Sequence, residues 1–171
     1  MAHSLTDFVP GPDRARDLRD AFGRFATGVT VVTTRTPDGP MGFTANSFSS
    51  VSIDPALVLW CPAKSSSRFA AFTSGANYAI HVLGEEQKSI GDAFARNGTA
   101  FDACDWHEAP DGTPLLDNTL ARFHCTPHAT HDGGDHVIAV GRILQAAWRE
   151  GDPLVFSSGQ YGGVTGRFTG A

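Results

Sequence analysis

Cysteine is scarce. The 171 residues hold three, Cys61, Cys104 and Cys125, widely spaced and with no Cys-x-x-Cys pair among them. An odd number without a motif speaks against a disulfide framework and a cysteine-based zinc site. It fits free thiols in a reducing compartment, so the cytoplasm is the expected location. No apolar run approaches the roughly 20 residues that a membrane span needs. The opening Met1-Ala2-His3-Ser4-Leu5-Thr6-Asp7 has neither a charged n-region nor an apolar h-region, and no signal peptide is expected. There is no basic block, and the formal net charge is −5, which argues against nucleic acid or an anionic membrane as the main partner. No Gly-x-Gly-x-x-Gly follows a strand and no β-α-β unit repeats, which removes a Rossmann domain. A Gly-x-Ser-x-Gly elbow is also missing, and Cys61 has no neighbouring base in sequence, so nucleophilic catalysis has no strong candidate.

What remains is an apolar share of 41% and a charged share of 18%, the balance of one globular domain large enough to bury a core unaided. Residues 1–11 read as a stiff lead-in, 12–163 as the domain and 164–171 as a tail. Leu18, Ala21, Phe22 and Phe25 fall at helical spacing, with Gly28 as the expected stop. Val29 to Thr36 reads as a strand, Pro37-Asp38-Gly39-Pro40 as a turn, and Met41 to Ala45 as its antiparallel return. Ser50 to Ile53, Ala56 to Cys61 and Tyr78 to Leu83 are further strands. A short helix capped by Ser65 or Ser66 is expected after Pro62, and another from Glu85 to about Ala95. Arg96 to Leu116 has no steady period and reads as a long ordered loop. Leu120 to Thr130 and His136 to Trp148 are two long strands joined at Asp132-Gly133-Gly134-Asp135. Strands linked as hairpins, with helices at the corners, predict a mainly β fold: a closed or nearly closed antiparallel barrel with peripheral helices.

Chemistry concentrates between Gly42 and Phe69. Thr44-Ala45-Asn46-Ser47 and Cys61-Pro62-Ala63-Lys64-Ser65-Ser66-Ser67 are hydroxyl- and amide-rich segments on either side of the apolar strand Ala56-Leu57-Val58-Leu59-Trp60. Brought together, they would line one slot with small neutral groups and a single Lys, a lining suited to a planar, phosphorylated ligand. A helix beginning at Lys64–Ser67 would present free N–H groups to an anion, although Ser-capped surface helices are common. Asn46 and Ser47 could equally satisfy their own backbone. Cys61 reads as a small apolar residue near the slot wall. Phe69, Phe101 and Tyr161 could include stacking groups, while most aromatics in such a chain are core. His124, His128, His131 and His136 invite a metal, but on a strand His124 and His128 stand roughly 13 Å apart, too far to share an ion. No metal site is expected.

Six segments resemble a known family in its own order. They are Phe22-Gly23-Arg24-Phe25-Ala26-Thr27-Gly28-Val29, Gly42-Phe43-Thr44-Ala45-Asn46-Ser47-Phe48, Pro62-Ala63-Lys64-Ser65-Ser66-Ser67, Gly112-Thr113-Pro114-Leu115-Leu116, Gly134-Asp135-His136-Val137-Ile138 with Gly141-Arg142, and Pro153-Leu154-Val155. Over about residues 18 to 163 the chain resembles the flavin reductase-like, split-barrel flavoproteins, the reductase components of two-component flavin-dependent monooxygenases. The resemblance implies a homodimeric six-stranded split β-barrel of the FMN-binding type that oxidises NADH or NADPH and reduces FMN or FAD. It places the segment matching Thr44–Ser47 along the isoalloxazine and ribityl, Lys64–Ser67 at the phosphate, and His136 at the nicotinamide. Cys61, Pro62, Phe69, Phe101 and Tyr161 complete the candidate lining, and no residue is assigned as acid or base. The chain departs from the family at Ser157-Ser158-Gly159-Gln160-Tyr161, where many relatives carry Arg or His, and follows it only loosely at Thr99 to Trp106. Two other functions share the fold: a flavoprotein with tightly bound flavin acting on its own organic substrate, and a flavin-binding module without turnover.

Overall fold

Thr30, Val31, Val32, Thr33 and Thr34 are all buried, so the β-branched run expected as a strand has no solvent face. Successive side chains of a strand point to opposite sides, and here each side meets its own core. Val32 packs with Ala45, Val58, Trp60, Phe72, Tyr78 and Ile80. Val29 and Val31 pack on the other side with Leu83, Phe94, Phe101, Leu116 and Leu154.

The computed structural model describes residues 4–164; the first three residues and all of the expected tail 164–171 except its first residue lie outside the described residues. In chain order the elements are α1 (Ala15–Phe22), β1 (Thr27–Gly28), β2 (Thr30–Thr36), β3 (Gly39–Ala45), β4 (Ser49–Ile53), β5 (Ala56–Trp60), α2 (Phe69–Thr73), β6 (Tyr78–Val82) and α3 (Lys88–Arg96). They continue with β7 (Trp106–Glu108), β8 (Pro114–Leu116), β9 (Ala121–Gly133), β10 (His136–Trp148), β11 (Val155–Ser157) and β12 (Gln160–Gly162). Among the described residues no helix is long and apolar enough to cross a membrane.

Seven strands form the main sheet in the order β3-β2-β6-β9-β10-β5-β4, all antiparallel; β1, β11 and β12 form a small second sheet, and β7 pairs with β8. The two edge strands, β3 and β4, are consecutive in the chain. Laid flat, seven strands would hold them about 29 Å apart, whereas the three-residue link 46–48 reaches about 14 Å. The sheet therefore curls. Phe43 of β3 and Trp60 of β5 meet edge-on with ring centroids 5.8 Å apart, although four strands of the sheet lie between β3 and β5. The edges do not pair with each other, which leaves a seam. The expected six-stranded closed or nearly closed barrel is thus corrected to a curled, open sheet of seven strands.

Three local expectations also change. The first helix ends at Phe22, where the Gly23 N–H closes on the Arg19 carbonyl at 2.9 Å; Thr27 and Gly28 are drawn off to pair with Phe156 and Val155. Helix α2 starts at Phe69, not at Ser65 or Ser66, because residues 63–69 first make turns of their own: Ser66 N–H to Ala63 O at 3.1 Å, and Phe69 N–H to Ser66 O at 3.0 Å. Residues 96–116 are not loop throughout. The β7–β8 hairpin is fixed by partners far away in sequence, for His81 Nε2 accepts the Leu116 N–H at 3.0 Å and the Thr33 hydroxyl donates to Pro114 O.

Helix α3 sits close on β3. A side chain at Gly42 would run into the Phe94 ring, and the Gly42 N–H donates to Gly98 O at 2.7 Å.

Candidate functional site at the seam

The link 46–48 carries the polar residues that follow β3 into the seam. Ser47 ties this link to the end of β5: its Oγ accepts the Cys61 N–H at 2.9 Å. The two polar segments expected to face one another are therefore in contact. Thr44 and Ala45 are held from behind. The Thr44 hydroxyl donates to Gly91 O on α3 at 2.7 Å, and the Ala45 carbonyl accepts the buried Thr30 hydroxyl at 2.7 Å. The Thr44 side chain and the Ala45 backbone are both fixed, so what these two residues present to the seam is a rigid, neutral wall.

That wall opens on two adjoining clefts. The smaller, about 170 Å³, is lined by Val29, Thr44, Ala45, Asn46, Phe156 and Tyr161. The larger, about 890 Å³, lies between the end of α1 and the β11–β12 turn, with Arg19, Phe22, Arg24, Phe25, Thr27, Asn46, Phe156 and Ser158 among its walls. Asn46 and Phe156 belong to both. Sequence reasoning placed Tyr161 and the 44–46 segment here but missed the α1 end and Phe156. A signal was present: Phe22 at the end of α1 and Phe25 just beyond it fall at helical spacing with Leu18 and Ala21, and both are exposed in the fold.

Lys64 and His136 form a second group. Pro62 O accepts the Val137 N–H at 3.1 Å, Ala63 bridges His136, and the Lys64 N–H donates to Asp135 O at 2.9 Å. The tip of the β9–β10 hairpin thus lies along the residues that follow β5. The Lys64 ammonium is paired with the Asp132 carboxylate and donates to Gly134 O at 2.7 Å. His136 Nδ1 lies 2.8 Å from the Asp135 carboxylate. Hydrogen bonding to His136 lowers the Asp135 pKa, and bonding to Lys64 lowers that of Asp132. Burial pushes the Cys61 thiol up, which keeps it protonated at neutral pH and unfit as a nucleophile.

Other expected residues are placed differently. Ser66 Oγ accepts the Arg68 N–H at 3.2 Å, so it stabilises its own turn. Phe101 is 6% exposed, with its ring between Phe94 and Trp106 at 4.9 and 5.0 Å, and so is a core side chain rather than a wall of the slot. Phe69 begins α2. Arg68, passed over in sequence, crosses from this segment to α3 and donates to Phe94 O at 2.6 Å, Ala95 O at 3.0 Å and Gly42 O at 3.2 Å. The histidines have separate partners: His124 lies 2.9 Å from Asp111 and His107 2.8 Å from Asp117. Among the described residues no three His, Cys, Asp or Glu side chains converge as metal ligands would.

Residues 22–165 match the flavin reductase like domain family. The chain belongs to that family. Among relatives of this flavin reductase-like chain, the FMN reductase (NADH) SmoA of Agrobacterium fabrum is 56% identical over 155 residues, covering 91% of this chain and 89% of the relative. The reductase subunit HsaB of a flavin-dependent monooxygenase from Rhodococcus jostii is 42% identical over 151 residues, covering 87% and 77%. Among solved structures, the NADH:FAD oxidoreductase SgcE6 of Streptomyces globisporus superposes with a TM-score of 0.86 at 35% identity, over 95% of this chain and all of that one. SgcE6 has also been solved in complex with NAD and FAD fragments.

Proposed function

We propose that this flavin reductase-like protein is a cytoplasmic NADH:flavin oxidoreductase that reduces FMN or FAD and supplies the reduced flavin to a partner monooxygenase. The observation that carries the reading is the rigid, neutral wall of Thr44, Ala45 and Asn46 at the seam, joined through Ser47 and Cys61 to a segment bearing Lys64. The wall would admit a flat ring without placing a charge against it, and Lys64 follows in the chain three residues after Cys61, which Ser47 binds. The names of the relatives, an FMN reductase using NADH and a monooxygenase reductase subunit, support the same activity and the same class of partner.

The residues fit a flavin by their chemistry. Thr44, Ala45, Asn46 and Ser47 would border the isoalloxazine and ribityl, Tyr161 would close the far wall, and Lys64 with Ser65 and Ser67 would hold the phosphate, with Ser66 bracing the turn between them. His136 would orient the nicotinamide carboxamide. Flavin, when bound, supplies a ring nitrogen that accepts hydride from a reduced nicotinamide. The protein contributes alignment of the two rings and exclusion of water, which accounts for a site without an acid–base pair.

The residues 12–163 serve as one flavin reductase-like domain, and the curled sheet as the split barrel of a homodimer. Exposed apolar side chains on β4 and β10 support the dimer: Ile53 is 94% exposed and Trp148 76%, with Val51 and Leu144 beside them on the same strands.

The decisive experiment is NADH oxidation with FMN, FAD and riboflavin as acceptors, in wild type and Lys64→Gln. Lys64→Gln should weaken FMN by about tenfold, the worth of one charge-assisted contact, and leave riboflavin nearly unchanged. Equal loss on both acceptors would remove Lys64 from the phosphate. Absence of NADH oxidation with every flavin, together with flavin that stays bound through purification, would favour a flavoprotein with a substrate of its own.

A further inference from the structure

The ammonium assigned to the phosphate already has an anion. Lys64 pairs with Asp132, and the contact is accessible: the Lys64 side chain is 41% exposed and that of Asp132 79%. Asp132 stands on β9 at the tip of the hairpin, and the carboxylate of Asp135 lies on the other side of the same turn. Two backbone hydrogen bonds, Val137 N–H to Pro62 O and Lys64 N–H to Asp135 O, bridge Ala63 to His136 and hold residues 62–64 against this tip, so the Lys64 backbone stays beside both carboxylates while its ammonium can change partners. A ligand phosphate approaching Lys64 meets one carboxylate in the place it needs and a second nearby.

We propose that Asp132 is an internal competitor for the flavin phosphate, a specificity-determining residue that lowers affinity for phosphorylated flavins and leaves the ring site untouched. This rests on the reading of Lys64 as the phosphate-binding residue. Exchange of one partner for the other is cheap, because an exposed ion pair is worth little. Asp132 therefore tunes binding without blocking it. A weakened grip suits a protein that must give its reduced flavin away. Asp132 also links the two ligands. The turn that it anchors to Lys64 leads directly into His136, so release of Lys64 by Asp132 alters what holds that turn beside the nicotinamide position.

The test measures dissociation constants of FMN and riboflavin for wild type, Asp132→Asn, Lys64→Gln and the double variant, with thermal melting as a check on folding. Asp132→Asn should tighten FMN by about 3- to 5-fold, the scale of an exposed ion pair, and leave riboflavin within twofold. In the Lys64→Gln background the same substitution should gain less than twofold, since the competition has lost its object. An equal gain with and without Lys64 would show only the removal of a negative charge from the neighbourhood, and would overturn the proposal. An unchanged FMN constant in Asp132→Asn, alongside a selective FMN loss in Lys64→Gln, would overturn it while leaving the phosphate reading intact. Failure of Lys64→Gln to discriminate FMN from riboflavin would instead defeat the underlying reading.

Discussion

His81 is wholly buried, and its two ring nitrogens face partners of opposite kind. Nδ1 lies 3.0 Å from Val31 O, which can only accept, and Nε2 takes the Leu116 N–H at 3.0 Å. Both are satisfied only by the neutral ring protonated on Nδ1. Burial opposes the charged ring and lowers its pKa to about 3, and a second proton on Nε2 would sit against the Leu116 N–H. In the unfolded chain the ring titrates near 6.5. Between those values the unfolded state holds the extra proton, so stability falls as pH drops below about 6.5 and the loss is complete near 3. From pH 7 to 5 the wild type should lose about 2 kcal/mol from this group alone. Urea unfolding across that range checks it: His81→Gln should be less stable at pH 7 but show a slope shallower by about one proton. Nothing in the sequence marks His81, since a His within Tyr78–Leu83 looks like any strand residue. Its role depends on Leu116, 35 positions away. Lys64 was singled out by the polar composition of its own segment, whereas His136 entered as a site residue only through the resemblance of Gly134-Asp135-His136 to the family.

Helix α3 depends on a residue outside it. Its last carbonyls have no intrahelical donors, and Arg68 supplies them to Phe94 and Ala95 while also reaching Gly42 on β3. One planar fork thus fastens helix, strand and the turn after β5. Lysine cannot reproduce that fork. Arg68→Lys should cost about 1–3 kcal/mol in chemical unfolding, and exchange at the α3 C-terminal amides should speed up before the sheet is affected. Elements with a local signature were legible: the β-branched β2, the Gly-rich turn between β9 and β10, and the acidic start leading to α3. Elements fixed by distant partners were not. β7 and β8 hang on Thr33 and His81, and β1 forms only because β11 lies beside it. Helix α2 was misplaced because a Ser that looks like a cap spends its hydroxyl on the turn before the helix. Phe101 was misassigned because an aromatic in an irregular stretch gives no local sign of the Phe94 and Trp106 rings that enclose it.

On the scale of the molecule, the fold class could be read from the run of hairpins, but not the strand count or the seam. Strand order is a matter of long-range pairing, which local periodicity does not encode. The exposed Ile53, Leu144 and Trp148 bear on assembly. If they lie in a dimer interface, Ile53→Asp with Trp148→Ser should shift the sedimentation coefficient to that of a monomer while far-UV dichroism is retained; an unchanged coefficient would place the interface elsewhere. The seam itself has a consequence for colloidal behaviour. An open sheet offers unpaired strand edges, the usual starting point of aggregation. Here the two edges are guarded by different means. The edge of β3 is covered where Gly42 gives its N–H to Gly98, and β4 is broken by an irregularity between Ser50 and Ser52 that disrupts a regular ladder. A seam proposed to take a flat ligand must still refuse a foreign strand, and these two guards let one opening serve both ends.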